Sequence, residues 1–293
     1  MAATTTTSRP PALRRKRSGG AGELSKKVWA TSVMWLLAIV YGFPLLWFLL
    51  SSFKPPGELF SYPLTALPKN PTVSGYTKAW TTFDVGQYFL NTLIVAVSAT
   101  VLTIVASAAC GYALAKYKAW WLKAFTICIL ATTMLPGEVL LGALFLVVRD
   151  LGLYNSLSAV VIPAVITVTG TFMFRQFFIT VPNDLLEAAR IDGSSELSTF
   201  IRVMLPLSRP IMLTLGIFSF QWRWNDYIWP LVVLNDPNKF TLQIGVATIV
   251  GANNVNWSVL MGASILSMIP LLLIYLVFQK YVMNSDINAG LKD

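Results

Sequence analysis

Three ionisable residues sit inside otherwise apolar runs: Glu138, Arg223 and Asp226. Charge in a hydrocarbon layer is costly, so such groups pair with one another or face a polar cavity. Arg223 and Asp226 are three apart, which on a helix places them on one face. Glu138 follows Pro136-Gly137, where a helix is expected to break. Trp224, Asn225 and Tyr227 add an amide and two rings to the same region. The chemistry these groups offer is recognition of a polar solute, by hydrogen bonds to hydroxyls or carboxylates and by rings against apolar C–H faces. For Arg223 a pair with Asp226, together with snorkelling toward the outer surface, is the alternative to lining a solute path. Bond-making chemistry finds no support. The chain has no histidine, hence neither the commonest general base nor the commonest metal ligand. It has no nucleophile elbow and no Gly-x-x-x-x-Gly-Lys-Ser/Thr loop for nucleotide phosphates. No metal or cofactor is expected on this chain, and it reads as no enzyme. Energy for transport must come from another subunit or from an ion gradient.

The elements that position these residues are membrane helices. Of 293 residues, 55% are hydrophobic and only 12% charged, about half the charge of a soluble domain. Six apolar segments, near 29–50, 90–115, 121–147, 157–179, 211–232 and 258–281, are long enough to cross about 30 Å of hydrocarbon. The fold class is an all-α membrane protein of six transmembrane helices. Residues 1–28 hold seven of the 22 Lys and Arg and read as a disordered basic cytoplasmic tail; 29–293 form the transmembrane domain. With both termini inside, cytoplasmic parts carry sixteen Lys/Arg against five in outer loops, as the positive-inside rule requires. Near the predicted span ends lie Trp47, Trp80, Trp120, Trp121, Trp222, Trp229 and Trp257, as in an aromatic belt.

That orientation puts a polar insert, 182–206, in the cytoplasm. Pro182 suits a helix start, and Asp184 with Glu187 suits an acidic capping box. Gly193 suits a left-handed helix end, and Ser194 or Ser195 can cap a second helix. Leu197, Phe200, Ile201 and Met204 then form a helical stripe, ended by Leu205-Pro206. The prediction is two short helices about a glycine turn, with Ala188 and Ala189 small enough for close approach by a partner. On the outside, a loop at 233–257 carries Asn235, Asp236, Asn253 and Asn254, residues that favour turns and adaptable hydrogen bonds.

The spaced motifs Glu187-Ala188-Ala189, Asp192-Gly193 and Leu205-Pro206 resemble the cytoplasmic motif of binding-protein-dependent ABC importer permeases of the carbohydrate branch. Phe89-Leu90-Asn91-Thr92, Met134-Leu135-Pro136, Leu151-Gly152-Leu153, Trp224-Asn225-Asp226 and Gln279-Lys280-Tyr281 resemble further motifs of that branch. The resemblance implies a type I (MetI-like) permease fold in a bacterial inner membrane. It implies a second, related permease chain, an ATPase dimer that uses ATP and Mg, and an extracytoplasmic solute-binding protein. The insert would dock in a cleft of the ATPase, with Glu187 near a basic residue and Gly193 at the turn; the outer loop would probe the binding protein. The substrate would be a sugar or oligosaccharide, and Arg223 beside the path would suit an acidic glycan. An ion-coupled secondary transporter of small polar solutes is the alternative.

Overall fold

The computed structural model describes the backbone of residues 20–251 and 255–290, with side chains for 25–251 and 255–279. Asn253 and Asn254, and the tail before residue 20, lie outside the described residues.

The described residues through Leu50 form one unit and those from Ser51 onward another. In the first, α1 (Gly20–Ser52) is a single helix with Pro44 inside it. Its described part reaches nine residues ahead of the apolar run. Trp35, Ile39, Val40, Phe43 and Leu46 are all exposed, so the helix is apolar all round, as lipid requires.

The second unit opens with short α2 (Pro56–Leu59) and α3 (Ser74–Thr82). Then come α4 (Val85–Lys116), α5 (Trp120–Thr132), α6 (Gly137–Asp150), α7 (Leu157–Val161), a 3₁₀ turn (Ile162–Ala164) and α8 (Val168–Thr180). Next are α9 (Asp184–Ile191), α10 (Glu196–Thr199), a π-helical turn (Phe200–Met204), α11 (Leu205–Leu207), α12 (Arg209–Trp224) and α13 (Ile228–Val233). The chain ends with α14 (Leu242–Gly251) and α15 (Trp257–Gly290). Four stretches, Ser25–Ser52, Val85–Lys116, Leu157–Thr180 and Trp257–Gln279, are long and apolar enough to cross a bilayer. Two bent pairs, α5 with α6 at 115° and α10–α11 with α12 at 75°, raise that to at most six if each pair is counted as one span.

Proline sets where the spans break. Its ring clashes with the carbonyl four residues back and it donates no hydrogen bond. Pro136 therefore ends α5 at Thr132, and Pro163 converts the end of α7 to a 3₁₀ turn. Pro230 conflicts with continuous helix through Asp226. The fifth segment, expected as one helix over 211–232, is accordingly two, α12 and α13, with Asn225–Tyr227 between them.

Helix α4 is the hub, and small residues let α8 lie against it. A Cβ on Gly111 would sit 2.6 Å from the Phe174 Cβ and 2.9 Å from the Thr171 carbonyl oxygen; one on Gly170 would sit 2.6 Å from Ser107 Oγ. Without water to squeeze out, close backbone contact of this kind is what holds membrane helices together. A cluster of Ala108, Tyr112, Phe174, Phe178, Leu186, Met204 and Leu215 fills the crossing beside the 182–206 insert. The expected outer loop is largely helix: Leu242, Ile244 and Ile249 of α14 are buried. The run 241–250 is apolar with only Thr and Gln between, so burial outweighs loop formation. The Asn91 side chain donates to the carbonyls of Asn238 and Phe240 at 2.9 and 3.0 Å, and Thr92 Oγ1 accepts from Leu242 N–H at 2.7 Å. The Asn-Thr opening of α4 thus anchors the segment leading into α14.

Candidate functional site: the elbow and the broken spans

The insert is a helical elbow. Helix α9 ends at Gly193, which has φ +79°. Gly193 N–H donates to the Arg190 carbonyl at 3.0 Å and Ser194 N–H to the Ala189 carbonyl at 2.9 Å. This is the double bond pattern of a left-handed helix end, which glycine adopts without a Cβ penalty. Ser195 Oγ accepts from Ser198 N–H and caps α10. Glu187, Ala188, Asp192 and Gly193 are exposed; Ala189 is half-buried, and Leu186 turns into the core. Ile191 and Leu197, 86% and 67% exposed, put apolar area at the tip.

Three local expectations fail. Asp184 makes no capping bond; the cap position is Asn183, whose amide oxygen instead accepts from Lys116 Nζ at 2.9 Å. The stripe of Leu197, Phe200, Ile201 and Met204 splits, with Met204 buried and Leu197 and Ile201 exposed. The π-helical turn spanning Phe200–Met204 adds a residue to that turn and rotates the register. Leu205-Pro206 does not end the helix, which runs on to Leu207 and bends at Ser208. Leu205 and Pro206 are half-buried at the elbow's root, so they fix its direction and not its tip.

The end of α4 holds the elbow at both limbs. Lys116 Nζ donates to the Val181 carbonyl at 2.6 Å as well as to Asn183. Tyr117 donates its hydroxyl proton to Glu196 at 2.6 Å, and Glu196 accepts from Arg190 Nε at 2.7 Å across the glycine turn. The bonds from Arg190 and Tyr117 hold the Glu196 carboxyl below the usual carboxylate range. The bond to Glu196 pushes the Tyr117 hydroxyl well up. A depressed carboxyl contributes stability above its unfolded pKa and loses it as pH falls through the folded value. The latch is therefore fully formed at neutral pH; the Glu196 contribution is lost in acid and the Tyr117 bond in strong alkali. The sequence signal was a spacing of six between Arg190 and Glu196 around the glycine turn; nothing in it marked Tyr117. We expect Tyr117→Phe, which removes one charge-assisted bond, to loosen the elbow, read as limited proteolysis within it about two- to fivefold faster than in wild type.

In the spans, proline leaves carbonyls of the fourth segment to be satisfied from elsewhere. Trp229 Nε1 donates to the Ala159 carbonyl at 3.0 Å. Ala164 accepts from Thr103 Oγ1 at 2.8 Å and from Arg223 Nη2 at 3.3 Å. Arg223 is thus held on the fourth segment. No Arg223–Asp226 ion pair within 4 Å forms among the described residues, because the helix stops at Trp224 and the one-face geometry is lost. Asp226 is half-buried just ahead of α13, whose cap position is Tyr227. Trp229 is buried, not part of an interfacial belt. Trp224 is 0% exposed: its Nε1 donates to the Ser267 carbonyl at 2.8 Å, Phe220 stacks on it at 5.5 Å and Phe89 meets its edge at 5.2 Å. That ring is enclosed by protein and offers no face to a solute. Asn225 and Tyr227, at the break, are exposed, and so is Glu138 at the start of α6. Trp229→Phe should cost about 1–3 kcal/mol, the penalty of an orphaned buried carbonyl, read as a lower detergent-denaturation midpoint.

In the loop after α6, Asn155 takes φ +58°, and its Oδ1 accepts from the N–H groups of Asn235 and Asp236 at 3.0 Å each. Asp236 in turn accepts from Asn238 N–H at 3.0 Å. Asn235 and Asp236 thus sit in a braced turn.

Residues 104–284 match the family described as binding-protein-dependent transport system inner membrane component. The chain is similar to the arabinooligosaccharides transport system permease protein AraQ of Halalkalibacterium halodurans, 33% identical over 88% of this chain and 96% of that one. It is also similar to the diacetylchitobiose uptake system permease protein NgcG of Streptomyces coelicolor, 33% identical over 87% and 85% of the two chains. A crystal structure of a bacterial ABC transporter involved in import of the acidic polysaccharide alginate contains a chain of the same fold. Its TM-score is 0.80 at 22% identity, covering 93% of this chain and 99% of that one.

Proposed function

Since this chain belongs to the binding-protein-dependent transport system inner membrane components, we propose that it passes a sugar or oligosaccharide, driven through its 182–206 elbow by a separate ATPase. The chain is a multi-pass membrane permease subunit, and the ion-coupled alternative falls away with the family. The observation that carries the coupling role is the elbow itself. It is a short rigid helix with Glu187, Ala188, Asp192 and Gly193 outward, closed by a glycine turn and latched to α4 through Tyr117, Glu196 and Arg190. Rigid attachment at both limbs is what converts a partner's domain motion into a tilt of the spans. ATP and Mg belong to that partner. A second, related permease completes the solute path, an extracytoplasmic binding protein delivers to Asn235, Asp236, Asn253 and Asn254, and both termini are cytoplasmic. Sugar import is supported by the relatives for arabinooligosaccharides and diacetylchitobiose.

Within the path we place Asn225, Tyr227 and Glu138 on the solute, because they are exposed at helix breaks. Asp226 and Arg223 fix the break's geometry, with the remaining guanidinium donors of Arg223 favouring an acidic glycan. Arg223→Gln should then lower uptake of uronic-acid oligosaccharides about tenfold, the worth of one charge-assisted bond, and of neutral ones less than twofold. Equal uptake of both by the variant would remove the acidic preference. The test of the whole reading is uptake of labelled oligosaccharide by proteoliposomes carrying both permeases and the binding protein, with and without the ATPase. Uptake is expected only with the ATPase and ATP.

A further inference from the structure

At the root of the elbow, where α4, α5 and α8 meet, lies a pocket of about 200 Å³ that neither solute passage nor coupling uses. Tyr117, Lys118, Lys123, Thr126 and Arg175 supply its polar lining, and no carboxylate borders it. Its three cations are not neutralised by protein. The side chains of Lys118 and Lys123 make no hydrogen bond or ion pair recorded among the described residues. Arg175 is held against the Phe172 ring, 6.0 Å from its centroid, with a buried Nε that has no partner. The N-terminus of α5 opens beside them: its cap residue, Ala119, has no side-chain acceptor, so first-turn N–H groups are left for another ligand. Three cations and a helix N-terminus without an anion call for one.

The surroundings name its source. Trp120 and Trp121, 81% and 57% exposed, stand at the start of α5 as interfacial residues do, and Phe125 and Ile127 continue an exposed apolar surface along that helix. A free phosphate has no use for that surface; acyl chains do. We infer that this pocket binds the phosphate headgroup of an anionic phospholipid from the leaflet on the elbow's side. The inference rests on the cytoplasmic placement of the elbow proposed above. Basic pockets between membrane helices on that face recognise such headgroups. Tyr117 lines the pocket and also donates to Glu196, so a bound lipid sits against the latch that steadies the elbow.

The test uses the complete importer with its partner chains, exchanged into phosphatidylcholine containing phosphatidylglycerol and examined by native mass spectrometry without ATP. Wild type is expected to retain phosphatidylglycerol, and Lys118→Gln/Lys123→Gln to retain about tenfold less. Both lysines are exposed, so folding is not at stake, and Lys118→Arg/Lys123→Arg should restore retention. Lys69→Gln/Lys78→Gln, two exposed lysines of the same unit that do not line the pocket, should retain the lipid. Equal retention by the Lys118/Lys123 glutamine pair and wild type would overturn the inference, as would an equal loss in the Lys69/Lys78 control. Displacement of the lipid by millimolar inorganic phosphate would overturn its lipid source. Lipid retention is read without transport, so a failed uptake assay leaves this result standing and the reverse holds too.

Discussion

Gly193→Asp is expected to lower solute uptake at least about tenfold while the assembled complex keeps hydrolysing ATP within about twofold of wild type. Space inside the chain is not the reason, since a Cβ at Gly193 meets nothing within 4 Å. The left-handed backbone at φ +79° costs a non-glycine residue about 1 kcal/mol, too little to unfold the elbow. What changes is the outer surface: a charged side chain now stands at the turn where the proposed ATPase surface would approach the backbone. Loss of about 1.4 kcal/mol in docking is a tenfold loss of the coupled state. ATP hydrolysis and uptake measured on one preparation separate this from misfolding, which would lower both. Normal uptake by the variant would count heavily against docking at this turn.

Gly111→Leu should abolish accumulation of folded protein. A Cβ there meets the Phe174 Cβ at 2.6 Å, the Arg175 backbone nitrogen at 2.8 Å and the Thr171 carbonyl oxygen at 2.9 Å. Two of these are backbone atoms of α8, so relief requires moving a whole helix. Overpacking by a few methylenes already costs about 1–3 kcal/mol where side chains can yield; here the α4–α8 crossing must open, and with it the cluster that seats the elbow. Gly142→Leu is the comparison, because nothing lies within 4 Å of a Cβ at that position. Fluorescence-detected size exclusion is expected to show a monodisperse peak for Gly142→Leu and none for Gly111→Leu.

The six-span helical fold and the glycine-turned elbow were legible in the sequence because each rests on local, strongly patterned signals. Apolar runs of twenty residues have few other fates, and a glycine after an alanine-rich turn suits a left-handed helix end. The interior of the spans was less legible for a shared reason. The identity of Pro163 and Pro230 was plain, but which donors would reach the freed carbonyls depends on segments some 60 to 70 residues away, as with Trp229 to Ala159 and Arg223 to Ala164. Periodicity therefore misread Arg223 and Asp226 as helix-face partners and Trp224 as a solute-facing ring. The Tyr117–Glu196 contact, 79 residues apart, was invisible for the same reason. Helix α14 was hidden by the turn-forming residues on either side of it, at 235–238 and 251–254.

One crosslinking experiment reaches the central claim. In a background with Cys110 and Cys128 replaced by serine, Ala188→Cys carries a photoactivatable crosslinker in the assembled importer. Covalent capture of the ATPase subunit is expected, with a yield that changes between nucleotide-free and ATP-trapped states. Capture of the extracytoplasmic binding protein instead, or labelling of that cysteine from outside intact cells, would contradict an ATP-driven elbow.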